Sequence, residues 1–105
     1  MTQHTILLLQ THANRKDTRQ WEDHDTVSLA VESVISKFEQ RLKQSNPTVR
    51  NIQYDINDLQ KYIDSLGDVA CLVLDPTARA YIPHDRDWFK ARVFNHLKRQ
   101  ASAAR

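Results

Sequence analysis

The residues of this chain that could do chemistry are five histidines, one cysteine and thirteen carboxylates, and their spacing decides which reactions are open to them. A transition-metal site would ask for histidines one helical turn apart or for paired cysteines. His4, His12, His24, His84 and His96 never fall at that separation, and Cys71 has no cysteine partner. Asp23-His24-Asp25 comes nearest to a ligand or proton-relay cluster, but immediate neighbours in an extended segment point to opposite faces. It reads as solvated polar sequence at a helix entry. His84, between Pro83 and Asp85, stands at a helix start where it could titrate near neutral pH. Nucleophilic catalysis has no firmer footing, since no serine lies in a glycine-flanked turn and nothing local marks a base for Cys71 or Ser33. The chain therefore reads as non-enzymatic, with no catalytic, metal or cofactor residue assigned.

A single glycine, Gly67, removes further classes of function, because loops that cradle phosphates need several glycines to bring backbone amides close. The lone Cys71 lies inside the apolar run Val69-Ala70-Cys71-Leu72-Val73-Leu74, which predicts a buried, inert thiol, no intrachain disulfide and a reducing compartment. Nothing at the amino terminus reads as a leader or a membrane span. Cations exceed acids by only two, too few to hold nucleic acid by electrostatics alone. Even so, Arg86, Lys90, Arg92, Lys98 and Arg99, with Arg105 beyond, mark the last helix. They form either a phosphate-contacting stripe, in which Lys98 and Arg99 would touch RNA, or a solvated face that complements the helix dipole. Tyr54 and Tyr81 leave a similar choice between stacking on unpaired bases and packing in a core or interface.

Positioning these residues falls to a short list of elements in one domain over residues 1–105. His4 to Gln10 alternates as a strand, Thr11 to Asp17 is a polar loop, and Thr18 to Glu22 is a second short strand carrying Trp21. Asp25 or Thr26 can cap a helix on which Val27, Val31, Val34, Ile35, Phe38 and Leu42 recur at helical spacing, ended by Ser45-Asn46-Pro47. Asp55 or Asn57 can cap a second helix with Leu59, Tyr62, Ile63 and Leu66, after which Gly67 stands where a left-handed residue would end it. Val69 to Leu74 and Arg79 to Ile82 form a hairpin closed by Pro83, and Asp85 can cap a last helix from Arg86 to about Gln100, with a fraying tail. The order predicts an α+β fold, a four-stranded antiparallel sheet with three helices packed on one face.

That architecture leaves one sheet face bare, and the first strand is apolar on both sides. Leu7 and Leu9 share one face, Ile6 and Leu8 the other. A second copy of the chain is the expected cover, making a homodimer through the sheets with Ile6 and Leu8 in the interface. Trp21 and Trp88 are the candidate anchors for a protein partner, because aromatic side chains dominate many interfaces.

The sequence resembles the enhancer of rudimentary homolog family. The resemblance is carried by His4-Thr5-Ile6-Leu7-Leu8-Leu9-Gln10, Tyr54-Asp55-Ile56, Cys71-Leu72-Val73, Tyr81-x-Pro83 followed by Asp87-Trp88, and Leu97-Lys98-Arg99-Gln100-Ala101, with matching spacings over nearly the whole chain. It implies three helices on one side of a sheet and dimerisation through the sheets. It further implies a small nuclear adaptor without catalytic activity, cofactor or membrane association. Such an adaptor binds short segments of RNA-binding or RNA-processing proteins, YTH-type factors among them, and links two copies. Family contexts include meiotic mRNA elimination and decay, microRNA-precursor processing, splicing complexes and small-RNA maturation, with direct nucleic-acid binding weak or absent. The chain departs from the family pattern in the loop Thr11 to Thr18, which lacks its prolines and glycine, and at Gln20, where a phosphorylatable threonine can stand. Thr26 keeps a hydroxyl, but Val27-Ser28-Leu29 supplies no acid for an acidophilic kinase.

Overall fold

A computed structural model describes residues 3–50 and 53–103, and its elements follow the expected order. Strand β1 spans Thr5–Gln10, β2 Arg19–His24, helix α1 Val27–Ser45, α2 Ile56–Ser65, strand β3 Asp68–Asp75, β4 Ala80–His84 and helix α3 Arg86–Ala103. The strands are antiparallel throughout, in the spatial order β2-β1-β3-β4, so the first strand of the sequence lies inside the sheet.

Strand parity decides which side chains meet the helices. Leu7 and Leu9 of β1 register with Cys71 and Val69 of β3, and all four are buried against Val31, Val34 and Phe38 of α1, Leu59 and Ile63 of α2, and Phe89 and Val93 of α3. Ile6 and Leu8 register with Leu72 and Ala70 on the other face. Burial pushes the Cys71 thiol up to about 12, so at physiological pH it stays protonated and inert. Each helix starts on a residue the sequence offered. Thr26 Oγ1 accepts from the Leu29 amide at 3.1 Å, Asp55 and Asp58 form a reciprocal capping box, and Asp85 Oδ1 accepts from the Trp88 amide at 2.9 Å. Helix α1 stops at Asn46, before Pro47, with the Asn46 amide reaching back to the Leu42 carbonyl at 3.0 Å.

Several details correct the sequence expectations. Gly67 is not left-handed, since no glycine among the described residues has a positive φ, and α2 ends on an extended Leu66. Crowding is what requires glycine there. Its amide donates to the Gln10 carbonyl at 2.6 Å, and a Cβ would stand 2.6 Å from Gln10 Nε2 and 2.9 Å from both the His12 oxygen and the Ala13 Cα. Among the described residues the left-handed one is Arg79, φ 54°, in the β3–β4 turn. Strand β4 runs through Pro83 to His84, which is tolerable because β4 is an edge strand with one side free of ladder bonds. Strand β2 extends to His24, and α3 continues past Gln100 to Ala103; Arg105 lies outside the described residues. The loop after β1 holds a one-turn 3-10 helix at Lys16–Thr18, and Gln10 Nε2 pins it by donating to the His12 and Ala13 carbonyls. Tyr54 is not on the sheet, because its ring meets Phe38 edge-on at 4.9 Å in the helical layer, which removes it from any base-stacking platform.

Candidate interaction surface

Alternate residues of every strand point to the face the helices leave bare. Ile6 and Leu8 come from β1, and Ala70, Leu72 and Leu74 from β3; the registers set Trp21 of β2 beside Leu8 and Tyr81 of β4 beside Leu74. Ile6 and Leu72 are half-buried within one chain, while Trp21 is 61% exposed. An apolar strip of this kind, open to water and bounded by polar groups, marks an interaction surface.

The polar boundaries are well defined at both ends. At one end His4 Nδ1 lies 2.6 Å from the Tyr81 hydroxyl and Nε2 lies 3.1 Å from Asp23 Oδ1. A carboxylate beside Nε2 favours the proton on that nitrogen, which leaves Nδ1 to accept from the tyrosine. At the other end Arg19 Nε donates to Gln10 Oε1 at 2.7 Å, with Asp68 3.7 Å away.

Trp21 is held in place through the opposite side of its own strand. Glu22, pointing toward the helices, accepts from Ser33 Oγ at 2.8 Å and pairs with Lys37 Nζ at 2.6 Å on α1, with His24 Nε2 2.9 Å away. Burial by itself would raise the Glu22 pKa, but these three partners outweigh it and hold the carboxyl at about 2. So weak a base does not activate Ser33, and the cluster serves as a clamp between β2 and α1. Its stabilisation is full above pH 4.5, where unfolded glutamate is ionised, and is lost as the pH falls toward about 2. Glu22→Gln should lower stability at neutral pH by about 1–3 kcal/mol, with the variant and parent urea-unfolding midpoints converging as the pH falls through that window. A constant gap across the window would show that the clamp does not depend on the ionised carboxylate.

Of the residues singled out from sequence, Ile6, Leu8 and Trp21 come together on this face. Trp88 does not join them. It lies on α3, its ring stacked on His84 at 3.9 Å with the Arg92 guanidinium 4.8 Å from its centre. Partial burial, followed by the Arg92 charge, pulls the His84 pKa down against the opposing effect of Asp85. The cations of α3 are divided as well. Arg86 donates to the Asp64 and Leu66 carbonyls and Lys90 pairs with the Asp64 carboxylate at 2.8 Å, so both tie α3 to the end of α2. Arg99 lines a groove beside α1 that Lys98 does not line. Sequence reasoning did not single out Leu72 and Leu74, which sit in the uniformly apolar run Val69 to Leu74, whereas Tyr81, offered for a core or interface, lies at this face. Among the described residues, no three of His, Cys, Asp or Glu converge as metal ligands, and no helix is long and apolar enough to cross a membrane.

Comparison with known proteins adds a family assignment to this geometry. The family model described as enhancer of rudimentary matches residues 1–103. The chain is similar to the enhancer of rudimentary homolog of Arabidopsis thaliana, 44% identical over 104 residues that cover 99% of this chain and 94% of that protein. The homolog of Dictyostelium discoideum is 45% identical over 98 residues, covering 93% and 97%. Homolog 1 of Schizosaccharomyces pombe is 32% identical over 103 residues, covering 97% and 89%.

Proposed function

The chain belongs to the enhancer of rudimentary family, and from that premise we propose that it works as a non-enzymatic homodimeric adaptor in nuclear RNA processing or selective mRNA elimination. Two copies bury their open sheet faces against each other, and the pair presents two equivalent sites to short segments of RNA-processing proteins. The apolar strip of Ile6, Leu8, Leu72 and exposed Trp21 is the observation that supports this most directly. A twofold axis through such a strip sets each patch against its own copy, which closes the assembly at two subunits. Doubling the sites then gives avidity: a partner with a weak motif gains apparent affinity when two of its copies sit on one dimer and their RNA-binding domains engage one transcript.

The test is a pull-down with two differently tagged copies of a partner recovered from nuclear extract. Wild-type protein should bring the tags together, and a monomeric variant should bind either tag without joining them. Tags still joined by a monomer would sink the adaptor mechanism. Tight, salt-dependent RNA binding lost on replacing Lys98 and Arg99, with no protein partner recovered, would put a direct single-stranded RNA-binding module in its place.

A further inference from the structure

We propose that the groove between the start of α1 and one face of α3 is a docking site for an acidic peptide segment with an apolar anchor. This rests on the adaptor reading, since it locates the partner site which that reading requires. The groove encloses about 410 Å³. Val27 and Trp88 give it apolar surface, with buried Val31 beneath, and Arg92, His96 and Arg99 line it from α3. Those three lie at i, i+4 and i+7, the spacing that places side chains along a single helical face.

Charge decides the occupant. Among the described residues, Lys37, Lys90, Arg15 and Arg19 each have a carboxylate within 4.0 Å, whereas Arg92 and Arg99 have none. His96 is buried, with Glu32 3.7 Å and the Gln100 amide 3.2 Å from Nε2, so the two arginines are the groups left to meet a ligand. Contact with Trp88 at 4.8 Å steadies the Arg92 guanidinium. The first turn of α1, which opens onto the same groove, contains no acidic residue, so its positive end adds to the potential there.

The dimensions favour a peptide over a nucleic-acid backbone. Arg99 lies seven positions beyond Arg92 on the helix, about 10.5 Å along the axis, which suits one or two carboxylates. Among the described residues, Lys98 does not line the groove, so it adds no third cation to the two arginines there. Between the guanidinium groups and the partly exposed Val27 and Trp88 there is a place for an aliphatic or aromatic side chain, which a phosphodiester chain does not supply. Bidentate arginine–carboxylate contacts would fix the segment's register while the apolar side chain is removed from water.

The experiment titrates the full-length protein against a short fluorescein-labelled peptide of alternating leucine and glutamate, a counterpart with glutamine for glutamate, and labelled oligouridylate, reading anisotropy. The acidic peptide should bind at least about tenfold more tightly than the glutamine peptide, and Arg92→Gln with Arg99→Gln should abolish that preference. Lys98→Gln should retain it. Both arginines are exposed, and Arg99→Gln alone provides a milder variant if the double one melts early. Equal binding of the two peptides, indifference to the arginine substitutions, or tighter capture of oligouridylate through the same arginines would overturn the proposal. Sedimentation of the same samples separates the two ideas. A dimer that ignores the acidic peptide refutes the groove alone, and a monomer that binds it through Arg92 and Arg99 refutes the adaptor alone.

Discussion

Replacing Ile6 and Leu8 together with arginine is expected to leave the protein monomeric at concentrations where the parent, as the proposed dimer, should sediment with twice the mass of one chain. Both side chains lie on the strip that the helices leave bare, and a twofold axis would bring four new guanidinium groups into one apolar contact. An uncompensated charge removed from water costs several kcal/mol, so the dimer should weaken by at least about a thousandfold. Leu8 is only 7% exposed within a single chain, so the double variant also loads the fold of each subunit. Trp21→Arg avoids that difficulty, because a side chain 61% exposed contributes little to the monomer. It should likewise shift the sedimentation equilibrium toward single chains with the melting temperature of the monomeric state unchanged. An unaltered dimer mass in both variants would sink the sheet-to-sheet interface.

Gly67→Ala is expected to destabilise the domain by about 2–3 kcal/mol, since overpacking of a tight site commonly costs that much and two of the three close neighbours belong to backbone. Gly67→Val should cost more. Gly67→Asn discriminates between the two possible reasons for glycine. Asparagine tolerates a left-handed backbone better than alanine does, so it would partly rescue a position governed by φ. Here the constraint is the 2.9 Å approach of the His12 oxygen and the Ala13 Cα, and asparagine should be at least as harmful as alanine. Chemical-denaturation midpoints for the three variants provide the measurement, and rescue by asparagine would restore the left-handed cap.

The contrast at Gly67 shows where sequence patterns carry information and where they stop. The periodicity of Val27, Val31, Val34 and Phe38 and the alternation of Ile6 to Leu9 are local, so α1, β1 and the two faces of the sheet were readable from spacing alone. The caps at Thr26, Asp55 and Asp85 were readable for the same reason. What failed depends on contacts between distant segments. His4 meets Tyr81 across 77 positions, and Gly67 meets the loop after β1, so neither contact leaves a trace in its own neighbourhood. Trp88 was legible as an aromatic on a helix, but its stacking on His84 and Arg92 follows from a strand end and a helix start meeting at one corner. The open face was half legible. Its first strand announced itself, whereas the outward leucines of β3 were hidden in a run that looked uniformly buried.

The central position of β1 has a consequence for how the chain is made. β1 is synthesised first, and β2 and α1 follow directly to cover one of its edges and its inner leucines, but its other edge pairs with β3, which begins only at Asp68. At translation rates of about 5–20 residues per second, the interval between Gln10 and Asp68 lasts roughly 3–12 s. Throughout it an apolar strand shows unpaired amides and carbonyls in the middle of the future sheet. Nascent chains on one message are neighbours during those seconds, and the strand that would set one copy against another in the proposed dimer is the one most open to premature pairing with them. Rapid closure of the β1–β2 hairpin and early docking of α1 thus bear on solubility during synthesis as well as on final stability.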